Sequence, residues 1–155
     1  LQEAVARALP IFAICYGHQL LADALGGTVG NNPNGAEIGT ISLNRLPACG
    51  DDPLFASLPA TFTANAYHSQ SVLHLPPGAT CLVANAHDPH HAYRIGKSAW
   101  GVQFHPEFAQ DGMRASIAQN RDRLNDADAL MAAVAASTPH ATALLQRFAQ
   151  MVLHD

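Results

Sequence analysis

The chain has 155 residues, enough for one compact domain with a buried core. Hydrophobic residues make up 48% and charged residues 13%, which excludes a disordered chain. A net charge of −4 without a basic run excludes nucleic acid and an anionic membrane surface as main partners.

Leu1 to Leu9 reads as the end of an amphipathic helix stopped by Pro10. Ile11 to Ile14 is a short apolar run, as in a fully buried parallel strand. Gly17 to Leu25 reads as a helix ended by Gly26-Gly27. The stretch GNNPNGAEIG reads as loop, TISLNRL as a strand and DDPLFASLP as a short turn or helix. From Thr61 to Phe104, β-like segments alternate with turns: TFTANAYHS, SVLHL, TCLVANA, HAYRIG and SAWGVQFH. Part of this stretch is therefore expected in antiparallel or mixed sheet. Asp111 to Leu124 and Asp126 to Ala136 read as helices. Thr138 is the expected N-cap of a last helix, with Pro139 at its first position and Leu144, Leu145, Phe148 and Val152 as its apolar stripe. Helix, strand, sharp turn and helix are the grammar of an α/β domain, and no repeat or linker divides the chain.

The cysteines are Cys15, Cys49 and Cys81. Their odd count and wide spacing fit neither a disulfide framework nor a zinc ribbon, so a reducing, cytoplasmic setting is expected. No apolar run approaches the ~18 residues of a membrane span. The opening LQEAVARALP lacks a signal-peptide core and an initiator Met, so the natural chain is expected to start earlier.

Cys15 sits where the strand meets the helix. A nucleophile held in such a turn needs small residues two positions to either side, here Ala13 and Gly17. The helix N-terminus favours a thiolate and can hold a developing oxyanion, with the Tyr16 N–H as the natural donor. A base is also needed. His105 ends an expected strand in WGVQFHPEF, and Glu107 lies two residues on, around a proline. A carboxylate there can orient the imidazole that serves the thiol.

CYGHQLLADALGG followed by WGVQFHPEF closely resembles the class I (triad-type) glutamine amidotransferases. The resemblance spans the chain from the elbow to the last helix. It implies a flavodoxin-like α/β fold with a mixed central sheet, the family's N-terminal part lying outside this sequence. Residues 1-155 would then be the C-terminal portion of one amidotransferase domain. It implies Cys15 as nucleophile, His105 as acid/base and Glu107 as third member. Gln19 would contact glutamine, and AYHSQSV resembles the loop that holds its amino-acid end, which adds Ser69 and Gln70. AEIGT resembles the GMP-synthetase-like branch. The implied reaction is hydrolysis of the glutamine side-chain amide through a cysteine thioester, giving glutamate and ammonia. The acceptor of the ammonia would be a synthase domain or partner chain; nothing like a P-loop or an SGGxD loop occurs in this chain. No metal or organic cofactor is implied, and no oligomeric state is assigned. The family usually has Gly where Ala13 stands, the mildest of changes. The alternatives are a γ-glutamyl peptide hydrolase on the same scaffold, or a non-catalytic partner subunit.

The remaining candidates read more plainly. Cys49 and Cys81 are expected to be inert, and HDPHH at residues 87–91 to be a solvated turn rather than a metal site. His68 is structural or a direct contact. His18 is expected to face outward, Trp100 to lie in the core, and Arg121, Asp122 and Arg123 to form a solvated helix face.

Overall fold

The computed structural model describes residues 1–154. In the main sheet β1 (Ile11–Ile14) is an edge strand that pairs in parallel with β8 (Ala99–Val102), Ile11 opposite Ala99 and Ile14 opposite Val102. Alternation sends the strand's side chains both ways. Phe12 and Ile14 pack into one hydrophobic cluster, Ile11 and Ala13 into another. The uninterrupted apolar run predicts full burial; at the edge of the sheet the strand is instead half-buried along its length.

The other strands add antiparallel neighbours. They are β3 (Glu37–Arg45), β4 (Thr61–His68), β6 (Ala79–Ala84) and β7 (Ala92–Ile95), and the sheet order is β1-β8-β7-β6-β3-β4. A separate two-stranded sheet joins β2 (Thr28–Asn31) to β5 (Gln70–His74). The sheet is thus mixed, as expected. Two boundaries differ. The expected loop 30–39 contributes Gly30 and Asn31 to β2 and Glu37 onward to β3, because the β4 partner runs on until Glu37 stands opposite His68.

Helices cover both faces. One face holds Leu43, Phe62, Leu82, Trp100, Val102 and Phe104, closed by Ala141 and Leu144 of α5 (Pro139–His154). Each fully buried side chain of this size contributes about 1.5–3 kcal/mol. The other face holds Tyr93 and Ala99 against Leu21 and Ala22 of α2 (Tyr16–Ala24). A third cluster joins Met113 and Ile117 of α3 (Gln110–Gln119) to Ala127 of α4 (Ala127–Ala133). Asp52 is buried beneath the first face. It accepts from the Leu54 and Phe55 amides, each at 3.0 Å, and from Trp100 Nε1, and pairs with Arg94 Nη1 at 2.9 Å.

Several expectations are corrected. The first helix, α1 (Gln2–Ala6), is shorter than expected because Ala8 takes a left-handed φ of 53°. The helix expected to Leu124 closes at Gln119, and Arg121–Arg123 is a separate 3₁₀ turn. Thr138 precedes α5, but its hydroxyl is buried without a hydrogen-bond partner, so it does not cap through its side chain. The α5 stripe runs through Ala141, Leu144, Phe148 and Met151, with Val152 exposed. His18 is fully buried rather than outward, its ring 4.7 Å from that of Tyr93. Trp100 is in the core as expected, and residues 121–123 are exposed. Among the described residues, no helix is long and apolar enough to cross a membrane.

Candidate functional site

The turn from β1 into α2 is a sharp strand-to-helix elbow with Cys15 at its tip. Cys15 has φ 50° and ψ −103°, a conformation that a non-glycine residue adopts at a cost. Its amide bonds the Val102 carbonyl at 2.8 Å, so the end of β8 fixes the turn. A Cβ added at Gly17 would lie 3.6 Å from the Ala13 Cβ. That contact is ordinary, and anything larger at either position would press on the other; the tight turn therefore needs the small pair. Tyr16 begins the helix with its ring exposed and its amide at the N-terminus.

His105 reaches the same place from three residues beyond β8, which closes at Val102 rather than running to His105 as expected; an isolated bridge to Asn65 holds it. Its backbone amide bonds the Asn65 carbonyl at 2.8 Å, and its ring stacks on Phe108 at 4.2 Å. Its Nδ1 lies 2.6 Å from Glu107 Oε1. Burial disfavours the protonated ring, but the Cys15 sulfur beside it, and then the Glu107 carboxylate, outweigh burial and push its pKa up to about 9. At neutral pH the ring is therefore an imidazolium, an acid held between a sulfur and a carboxylate. The other two thiols lie in different surroundings. Cys49 donates to the Leu82 carbonyl at 2.8 Å, and burial pushes its pKa up to about 11. Cys81 in β6 is raised by burial as well.

The cleft at the elbow measures about 190 Å³ and is lined by Cys15, Tyr16, Gln19, Tyr67, His68, Ser69 and Gln70. Every residue that the sequence assigns to substrate binding lines it. Gln19 is buried in the first turn of α2, and its Nε2 donates to the Gln70 carbonyl at 2.8 Å and to Gln103 Oε1 at 3.1 Å. Ser69 and Gln70 are exposed at the rim. Two contributors were missed by sequence reading. Gln103 is fully buried with its Nε2 3.7 Å from Cys15 Sγ, and the Tyr67 carbonyl lies 3.9 Å from the same sulfur. A signal for Gln103 exists: it stands two residues before His105 in the same short segment after β8.

Behind the cleft lies a buried polar cluster that the sequence does not announce. Glu37 Oε2 faces His68 Nε2 at 3.0 Å and His91 Nε2 at 2.9 Å. Asn85 Nδ2 donates to the other oxygen, Glu37 Oε1, at 2.6 Å. Burial would raise the Glu37 pKa. The imidazoles of His68 and His91 and the Asn85 amide outweigh burial and hold it well below the usual carboxylate range. The segment 87–91 is thus not a solvated turn throughout, since Asp88 and His91 are both fully buried.

Comparison with known proteins fits this geometry. A family model described as glutamine amidotransferase class-I matches residues 1–123. The glutamine-hydrolyzing GMP synthase from Thermomicrobium roseum is 38% identical over 72% of this chain, which covers 20% of that protein. One of the subunits of glutamine-hydrolyzing GMP synthase from Methanocaldococcus jannaschii is 36% identical over 72% of the chain, which covers 58% of that relative. The chain therefore spans from about a fifth to just under three fifths of the length of these relatives. The crystal structure of a glutamine amidotransferase from Thermotoga maritima superposes with a TM-score of 0.83 at 25% identity, over 99% of this chain and 66% of that one. With its elbow, its mixed sheet and a family match over most of its length, the chain belongs to the class I glutamine amidotransferases.

Proposed function

We propose that this chain is the catalytic portion of a glutaminase, with Cys15, His105 and Glu107 as its triad. The observation that carries the reading is the strained Cys15 turn facing an imidazole whose far nitrogen lies 2.6 Å from a carboxylate. The Cys15 thiolate attacks the side-chain carbonyl carbon of glutamine, and the Tyr16 N–H holds the resulting oxyanion. As the C–N bond breaks, imidazolium His105 gives its proton to the departing nitrogen, which leaves as ammonia. A γ-glutamyl thioester remains on Cys15. Neutral His105 then takes a proton from water, the hydroxide adds to the thioester, and glutamate leaves as the thiolate returns. Glu107 keeps the ring oriented through Nδ1 and stabilises its charge.

Gln19, Ser69 and Gln70 would hold the amino-acid end of the substrate, a role supported by their place around the cleft. Residues 1-155 would form part of one domain, since α5 closes the same core as β1 and β8. The ammonia would pass to a synthase domain or partner chain, which the naming of two relatives as GMP synthases supports. Three unpaired cysteines support a reducing, cytoplasmic setting.

The test is glutamate release from glutamine by the intact natural protein beside its Cys15→Ala variant. Release that disappears in the variant is expected. Release from γ-glutamyl peptides but not from glutamine would favour the peptide hydrolase, and none from either substrate the non-catalytic role.

A further inference from the structure

The cluster behind the cleft is built from three separate parts of the chain. Glu37 opens β3, His68 ends β4, and His91 immediately precedes β7. All three are buried, His91 completely. Their ligating atoms lie within 4.8 Å of one another.

The proton arrangement there is awkward for a simple hydrogen-bonded cluster. His68 Nδ1 lies 2.9 Å from the Gln70 carbonyl, which only accepts, so Nδ1 carries a proton and donates. In the neutral ring Nε2 is then a bare lone pair, and it faces Glu37 Oε2 at 3.0 Å. His91 Nε2 stands 2.9 Å from the same oxygen without the alignment of a hydrogen bond, and both of its ring nitrogens lack a partner. Three possible ligand atoms thus converge, and neither ring nitrogen of the buried His91 has an aligned hydrogen bond.

We propose that Glu37, His68 and His91 form a binding site for a divalent transition ion of zinc type. Two imidazoles and one carboxylate are a donor set suited to Zn²⁺, with a fourth, open position for water. Donors around tetrahedral zinc stand about 3.3 Å apart, given metal–ligand bonds of about 2.0–2.1 Å. The two Glu37–imidazole separations, 3.0 and 2.9 Å, are a few tenths of an ångström below this, and all three donor atoms lie within 4.8 Å of one another. The supports around the donors are also those of a metal centre: a backbone carbonyl orients His68, and the Asn85 amide holds the second oxygen of Glu37. A surface cavity lined by Asn32, Ser71, His87 and Asp88 lies alongside the cluster, with the Ser71 hydroxyl 3.4 Å from His68 Nδ1. A bound ion would tie β3, β4 and β7 together behind Tyr67 to Gln70, and so stiffen the wall of the cleft.

The experiment uses the intact protein carrying Cys15→Ala, so that no reactive thiol competes for metal and no activity is needed. Zn²⁺ retained after gel filtration is counted by elemental analysis, and Co²⁺ is titrated as a spectroscopic probe. We expect one ion per chain and intense tetrahedral Co²⁺ absorption bands. His91→Gln should weaken Zn²⁺ binding at least a hundredfold, and Asn85→Ala by about ten- to a hundredfold as the loss of an outer-shell partner. Absence of retained Zn²⁺ and of the Co²⁺ bands would overturn the proposal. So would binding unchanged by both Glu37→Gln and His91→Gln, since the ion would then sit elsewhere.

Discussion

The backbone amide of His105 hangs from the carbonyl of Asn65 at 2.8 Å. The Asn65 side chain braces the same loop: its Nδ2 donates to the Phe108 carbonyl at 2.9 Å, and its Oδ1 accepts from Thr40 at 2.7 Å. A buried β4 residue thus clamps both ends of the segment that carries His105 and Glu107. Asn65→Ala removes the two side-chain bonds and keeps the backbone one. It should cost about 1–3 kcal/mol of stability. By letting the imidazole drift, it should lower kcat/KM for glutamine on the order of ten- to a hundredfold. Steady-state kinetics and thermal denaturation of a folded variant check both.

His105 supplies a pH dependence with a definite sign. Its pKa is pushed up to about 9 by the Cys15 sulfur and the Glu107 carboxylate. In the proposed mechanism, the acid that protonates the departing nitrogen is therefore present below that pH and lost above it. The profile of kcat/KM should fall on its alkaline side near pH 9. In Glu107→Gln one of the two supports of the imidazolium is gone, so that limb should move to lower pH and the rate should drop roughly a hundredfold or more. A limb that stays in place would separate Glu107 from the ring's charge.

Acid stability should be governed in part by His18. Burial holds its pKa down from 6.5 to about 3, offset only in part by groups including Asp88. The unfolded chain takes up the proton first as the pH falls. Stability is therefore whole above about 6.5 and lost progressively from there toward 3. Replacing the ring with an uncharged side chain, as in His18→Gln, should flatten that part of the curve of melting temperature against pH, even if the variant starts lower at neutral pH.

Gly101 shows how close the layers are. A Cβ there would stand 2.7 Å from His18 Nδ1 and 3.0 Å from the Tyr93 ring, both fully buried side chains. Gly101→Ala should destabilise the fold by about 1–3 kcal/mol through overpacking. Because Gly101 pairs with Ala13, two residues before the proposed nucleophile Cys15, glutamate release should fall along with the melting temperature.

What the sequence announces and what it hides follows from the range of the interactions. Strand β1, the elbow and the HPE segment are local patterns, written in consecutive residues. The inward turn of His18 was also within reach, since positions 18, 21 and 22 share one helical face and the last two are Leu and Ala. The limits of β3 depend instead on its β4 partner. The meeting of Glu37, His68 and His91 depends on three strands at once, and no spacing along the chain encodes it. Asp52 beneath Trp100 is similar, a charge buried by contacts formed 42 and 48 residues away. Thr138 carries the residue type of a helix cap without the hydrogen bond, because burial leaves its hydroxyl unpaired.

The central claim is that Cys15, alone of three thiols, is the nucleophile for glutamine. The most direct measurement is labelling of the intact protein with 6-diazo-5-oxo-norleucine, a glutamine mimic that traps the attacking thiolate, followed by peptide mass analysis. The account predicts one adduct on Cys15, slowed by excess glutamine, with Cys49 and Cys81 unmodified. An adduct on either of those thiols instead, or none at all, would contradict it.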